Sequence, residues 1–164
     1  MKTIFFVRHS KATHENENTP ADAERLLTET GVLRTYLIGN YLIDAKANVD
    51  SIVSSPAKRT YSTALILSDK LGVPQNQISM DEVIYKGDAE DIVGMMENFD
   101  ESINNVMIVG HNPTITEVVN KFIENKIASL PTTGVVSVNV EAEKWCDLKK
   151  ASSKQNFAVW PGML

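Results

Sequence analysis

Three short stretches of the chain carry residues that could handle a phosphoryl group: Arg8-His9, Ser54-Ser55-Pro56 running on to Arg59, and Gly110-His111-Asn112-Pro113. A guanidinium keeps its charge and offers a planar fork that matches phosphate oxygens. Imidazole attacks phosphorus only through a neutral ring nitrogen, and nearby cations disfavour its protonated form. Two guanidiniums and two imidazoles brought together would make an anion site with a nucleophile inside it. Phosphoryl transfer there would rest on positioning and on stabilising charge on the equatorial oxygens, which arginines can do without a metal. Each piece alone is weak. A histidine near a strand end is commonly structural, Arg59 could be an exposed helix residue, and Asn-Pro favours a turn.

The elements around these residues give the combination its force. Residues 3–7 form an apolar, β-branched and aromatic run without alternation, the pattern of a central strand covered on both faces, and Val106-Met107-Ile108-Val109 is a second such run. Ser51-Ile52-Val53 reads as a short strand, followed by a helix with Ser55 as cap and Pro56 at its first position. Thr28 is a candidate N-cap for a helix whose apolar stripe would be Val32, Leu33, Tyr36, Leu37, Tyr41 and Leu42. Asp88 and Asp91 resemble a capping box ahead of Ile92, Met95, Met96 and Phe99. Ile115, Val118, Val119, Phe122 and Ile123 predict a further helix. Val136, Val138 and Val140 alternate with polar residues, as in an edge-like strand with one solvated face, and the tail around 157–160 could pair with it. Alternating strands and helices imply an α/β fold, a three-layer α/β/α sandwich with a mostly parallel central sheet. Ligands bind such sheets beyond the carboxyl ends of the strands, where Arg8-His9, Arg59 and His111 would all lie. The polar stretch from Ser10 to about Thr28 is long for an ordinary connection, and loops of that kind are usually functional or disordered.

Composition narrows the class. A chain of 164 residues is expected to form a single domain over 1–164, and 43% apolar with 23% charged residues is ordinary for a globular protein. A formal charge of -5 without a long basic run argues against nucleic acid and against an anionic membrane surface as partners. The apolar run after Lys2 stops at Arg8 and has no cleavage site behind it, so it reads as a strand and not as a signal peptide. Cys146 stands alone, which excludes an intramolecular disulfide and a paired-thiolate zinc site and fits a cytoplasmic location. His14 lies five residues from His9 but reads as a loop residue and not as half of a metal pair.

Four of these stretches resemble the histidine phosphatase superfamily, also called phosphoglycerate mutase-like. Val7-Arg8-His9-Ser10 is similar to its Arg-His-Gly signature, with serine replacing the glycine, and residues 54–64 are similar to its Ser-Ser-Pro-x-x-Arg-x-x-x-Thr-Ala stretch. Val109-Gly110-His111-Asn112-Pro113 resembles the second-histidine motif, and Leu27-Thr28-Glu29-Thr30-Gly31 a Leu-Thr-x-x-Gly helix start. The resemblance implies a phosphatase without metal or other cofactor, in which His9 is phosphorylated while Arg8, Arg59 and His111 hold the transferred group. The compact length and the Arg-His-Ser-Lys opening point to the short phosphohistidine phosphatases of the SixA kind, whose substrate would be a phosphohistidine-carrying phosphotransfer protein. Glu82, in Met80-Asp81-Glu82-Val83, lies where mutase-like relatives carry a general acid, and it reads equally well as part of a solvated acidic turn. Two alternatives stay open: a small-molecule phosphomonoester phosphatase of the same superfamily, and a phosphate-binding module without turnover.

Overall fold

The run Ile4-Phe5-Phe6-Val7 lacks alternation because both of its faces are covered. Phe5 and Val7 pack into one apolar cluster, and Ile4 and Phe6 into another on the opposite side of the sheet. Met107 and Val109 divide from Val106 and Ile108 in the same way. The computed structural model describes residues 1–14 and 21–164. Most of the Ser10 to Thr28 connection that is described is irregular, and its residues 15–20 lie outside the described ones.

Among the described residues, six strands form one sheet: β1 (Lys2–Arg8), β2 (Ser51–Ser54), β3 (Ile78–Met80), β4 (Asn105–Gly110), β5 (Val135–Val140) and β6 (Ser153–Val159), in the spatial order β3-β2-β4-β1-β5-β6. β1 to β4 are mutually parallel, whereas β5 runs antiparallel to β1 and β6 antiparallel to β5. Helices α1 (Glu29–Asp44) and α2 (Lys58–Leu71) supply Ile38, Leu42, Ala64 and Leu67 to one cluster. On the other face α3 (Glu82–Lys86), α4 (Ala89–Glu97) and α5 (Thr114–Asn120) supply Ile84, Ile92, Met96, Ile115 and Val118. This is the three-layer α/β/α arrangement. β1 exits towards α1 on one face and its neighbour β4 towards α5 on the other, so a crevice opens between their carboxyl ends.

Local signals account for several helix starts. The Thr28 hydroxyl accepts from the Gly31 N–H, and Asp88 and Asp91 exchange both bonds of a capping box. Other expectations need correction. α2 begins at Lys58 with Ala57 in the cap position, and Ser55-Pro56 forms the turn before it. The buried face of α1 is Gly31, Thr35, Ile38, Gly39 and Leu42, while Leu33, Tyr36 and Leu37 face outwards. β5 is an interior strand, and the edge position belongs to β6. α5 ends at Asn120, and Phe122 and Ile123 reach the core from the turn that follows.

Candidate active site

Parallel pairing sets the three motifs side by side. Arg8 is in register with Gly110, and Ser54 with Val109. The ladder continues one step past the strands, because the His9 N–H donates to Gly110 O at 3.0 Å and the Ser55 N–H to Val109 O at 3.1 Å. Arg59 follows in the first turn of α2, and its side chain turns back over this edge so that Nη2 donates to Nδ1 of His111 at 3.1 Å. The rings of His9 and His111 stand 5.4 Å apart, centroid to centroid. The structure thus brings Arg8, His9, Arg59 and His111 to one place.

The hydrogen bonds determine which ring nitrogens carry protons. Nδ1 of His9 lies 2.7 Å from the Ser10 carbonyl, which can only accept, so Nδ1 bears the hydrogen and Nε2 keeps its lone pair. Burial is the main cause that holds the His9 pKa down, to about 4. The Ser10 bond opposes this, and the charges of Arg59, Arg8 and Arg25 reinforce it. In His111, Nδ1 accepts from Arg59, so Nε2 carries the hydrogen and donates to the Ser55 hydroxyl at 2.8 Å. Burial, then Arg59 and His9, bring His111 to about 3, against a smaller upward pull from Asp22. Both imidazoles are neutral near pH 7.

Each arginine is anchored at its tip and keeps one inner donor unpaired. Arg8 Nη1 donates to Leu130 O at 3.0 Å, and burial lowers the pKa of this guanidinium. Arg59, only 5% exposed, donates to the Asp22 carbonyl at 2.7 Å and to the Asp22 carboxylate at 2.9 Å. The buried Nε atoms of both arginines have no hydrogen-bond partner among the described residues. Buried donors are rarely left unmade in native proteins, and two beside a neutral imidazole are what a tetrahedral oxyanion would complete.

Beneath His9 lies a network of hydroxyls. Ser10 is fully buried. Its hydroxyl donates to Gly31 O at 2.7 Å and meets the Thr133 hydroxyl at 2.6 Å, while its N–H donates to Thr63 Oγ1 at 3.1 Å. Thr63 in turn donates to Arg59 O at 2.7 Å. Thr133 holds a left-handed φ of 62° and shares its N–H between the carbonyls of Arg8 and His9, at 3.1 and 3.2 Å. A β-branched residue in that region is strained, and such strain persists only where surrounding bonds impose it. Gly31 is equally constrained, since a Cβ there would stand 2.2 Å from Lys11 O.

Glu82 is not drawn into the cluster. It opens α3 with a side chain 65% exposed and pairs with Lys86 at 3.7 Å. From the same short helix Tyr85 does reach the site. Its ring packs edge-on to His111 at 5.4 Å, and its hydroxyl donates to Asp22 at 2.7 Å. His14 is exposed, and among the described residues no group of three or more His, Cys, Asp or Glu could hold a metal ion. Sequence reasoning missed Asp22 and Tyr85 as site residues. Arg59 is 37 residues from Asp22 and Tyr85 is 63 from it, so only the closed fold reveals the contacts.

Comparison with known proteins decides the family. Residues 4–86 match the model of the histidine phosphatase superfamily, branch 1. The chain belongs to this superfamily. It is a phosphatase of the SixA-like group. The phosphohistidine phosphatase SixA of Escherichia coli K12 is 22% identical over 135 residues, covering 82% of each chain. A Mycobacterium leprae protein is 23% identical over 159 residues, covering 90% of this chain and 95% of its own. A solved structure of the protein histidine phosphatase SixA in complex with tungstate superposes with a TM-score of 0.82 at 20% identity, covering 98% of both chains. The fold of this histidine phosphatase is therefore shared with SixA over 98% of the chain. No helix among the described residues is long and apolar enough to cross a membrane.

Proposed function

We propose that this histidine phosphatase hydrolyses phosphohistidine carried by a protein, with Nε2 of His9 as the nucleophile. The observation that carries the mechanism is the bond from His9 Nδ1–H to the Ser10 carbonyl, which leaves Nε2 unprotonated and free to attack. In the first step Nε2 bonds to phosphorus as the bond from phosphorus to the substrate imidazole breaks, and that imidazole leaves carrying a proton. In the second step water bonds to phosphorus, the His9–phosphorus bond breaks, and inorganic phosphate and a proton are released. Arg8 and Arg59 hold the equatorial oxygens through donors that include their unpaired Nε atoms, and His111 lines the same pocket. Two guanidiniums balance the phosphoryl charge, so turnover without metal or cofactor is part of the proposal.

Two features favour a protein phosphohistidine over a small monoester. A protonated imidazole needs little help to leave, which suits a site whose Glu82 is exposed and paired with Lys86. The solved structure that superposes with a TM-score of 0.82 over 98% of both chains is a protein histidine phosphatase. The lone, exposed Cys146 fits a cytoplasmic setting for such a partner. The test is a comparison of kcat/KM on a phosphohistidine-bearing phosphotransfer domain and on several phosphate monoesters, all in EDTA, with His9→Ala as the control. The phosphoprotein should be preferred and His9→Ala should be inactive. A monoester preferred by tenfold, about 1.4 kcal/mol of transition-state preference, would replace the substrate class and keep the mechanism.

A further inference from the structure

One side chain at the site binds three partners. The Asp22 carboxylate receives Arg59 Nη2 at 2.9 Å and the Tyr85 hydroxyl at 2.7 Å on one oxygen, and Arg25 Nη1 at 3.0 Å on the other. Its carbonyl takes Arg59 Nη1 at 2.7 Å. Asp22 thus grips the outer end of Arg59, while the second contact of Nη2 goes to His111 and Nε stays unpaired. We propose that Asp22 is a positioning residue, which holds Arg59 in the orientation that receives the phosphoryl group and, through its own negative charge, keeps the cradle from retaining phosphate too tightly. The turnover part of this rests on the phosphatase reading above.

Two opposite effects follow from one carboxylate. Hydrogen bonds from Tyr85, Arg59 and Arg25 outweigh burial and hold the Asp22 carboxyl well below the usual carboxylate range, so it is charged at every working pH. Its charge stands against Arg59, the same guanidinium an incoming anion needs, and so weakens anion binding. Its geometry meanwhile restricts a long, rotamer-rich side chain, which an unanchored arginine would have to order anew in each transition state.

Asp22→Asn retains the backbone contact to Arg59 and removes the charge. Titration calorimetry with inorganic phosphate at low ionic strength should show at least threefold tighter binding, while kcat on phosphohistidine protein falls tenfold or more. Asp22→Glu keeps the charge with altered reach, and should bind phosphate like wild type while kcat stays low. A residue that merely supports the fold would weaken binding and turnover together. Tyr85→Phe removes one bond to the carboxylate without changing charge, and decides the matter should Asp22→Asn fail to fold. Its kcat should fall at least threefold with phosphate binding unchanged. Weaker phosphate binding in Asp22→Asn, or a kcat within threefold of wild type in Asp22→Asn or Tyr85→Phe, would overturn the proposal. The phosphate titration needs no turnover, so its result stands apart from the outcome of the phosphohistidine assay.

Discussion

Replacing Arg59 by alanine probes the cradle most directly. The side chain is 5% exposed, and its tip is committed to Asp22 and to His111, so the guanidinium is already ordered before substrate arrives. Deleting one preorganised donor of this kind costs about 2.7–4 kcal/mol of transition-state stabilisation, or about 10²–10³ in kcat. The upper part of that range applies here, because truncation also frees His111 Nδ1 from its donor and leaves the Asp22 carboxylate, among the described residues, with Tyr85 and Arg25 to hold it. Arg59→Lys separates charge from shape. An ammonium restores a point charge but cannot bond Asp22, His111 and a phosphoryl oxygen with one rigid fork, so it should recover only part of the loss. The assay is single-turnover dephosphorylation of a phosphohistidine protein by saturating enzyme, paired with thermal unfolding to confirm a native fold. A loss below tenfold for Arg59→Ala, or full activity in Arg59→Lys, would refute the view that a fixed fork stabilises the transferred group.

Three further expectations follow. His9 and His111 are held to about 4 and about 3 in the native protein, below the ordinary histidine value, so the unfolded chain binds more protons and stability falls as pH drops from about 6.5 towards 4. Discounted for partial exposure, the pair should cost about 1–3 kcal/mol across that window, to be read from urea unfolding of wild type against the His9→Ala, His111→Ala double variant, whose slope with pH should be shallower. Ser10→Ala removes a buried hydroxyl from Gly31 O and Thr133 and should destabilise by about 1–3 kcal/mol, with kcat reduced because the His9 backbone is released; an unchanged melting temperature would contradict it. Glu82→Gln should leave phosphohistidine turnover within threefold of wild type, and if Glu82 serves as an acid at all the loss should appear on alkyl phosphates with poor leaving groups, so an equal loss on both substrates would count against that role.

What could be read from the sequence depended on whether burial was signalled by apolar side chains. β1 and β4 were legible because both of their faces are lined by large hydrophobics. The face of α1 was misjudged because its contact with the core runs through small residues. Thr35 satisfies its hydroxyl on Gly31 O, and Gly39 lies so close to Lys70 that a Cβ would meet its Cγ at 2.9 Å. Leu33 and Leu37, which dominate any hydropathy count, point away. In β5 the polar residues Ser137 and Asn139 suggested solvent, yet they bond sideways: Asn139 accepts from Thr3 at 2.9 Å, and Asn156 donates to Ser137 at 3.1 Å. The convergence of Arg8, His9, Arg59 and His111 followed from placing each motif at a parallel strand end. Asp22 left no such trace, since an acid in a polar loop is ordinary until its distant partners Arg59 and Tyr85 are known.

The seat of His9 also has a bearing on how the protein comes to be competent during folding. Arg8, His9, Arg59 and His111 all lie in the first 111 residues, but the carbonyl that anchors Arg8 belongs to Leu130, and the N–H that holds the Arg8 and His9 carbonyls and the hydroxyl that meets the Ser10 hydroxyl belong to Thr133. A nascent chain that has paired β1, β2 and β4 therefore possesses every residue of the cradle and still lacks the support that sets two of them. Closing that gap means joining segments 123 residues apart in sequence, a contact with a high loop-closure cost that forms only when β5 docks beside β1. Recovery of activity on refolding should then lag behind recovery of helical signal and coincide with docking of β5 (Val135–Val140), since the residues after His111 contribute none of the cradle itself.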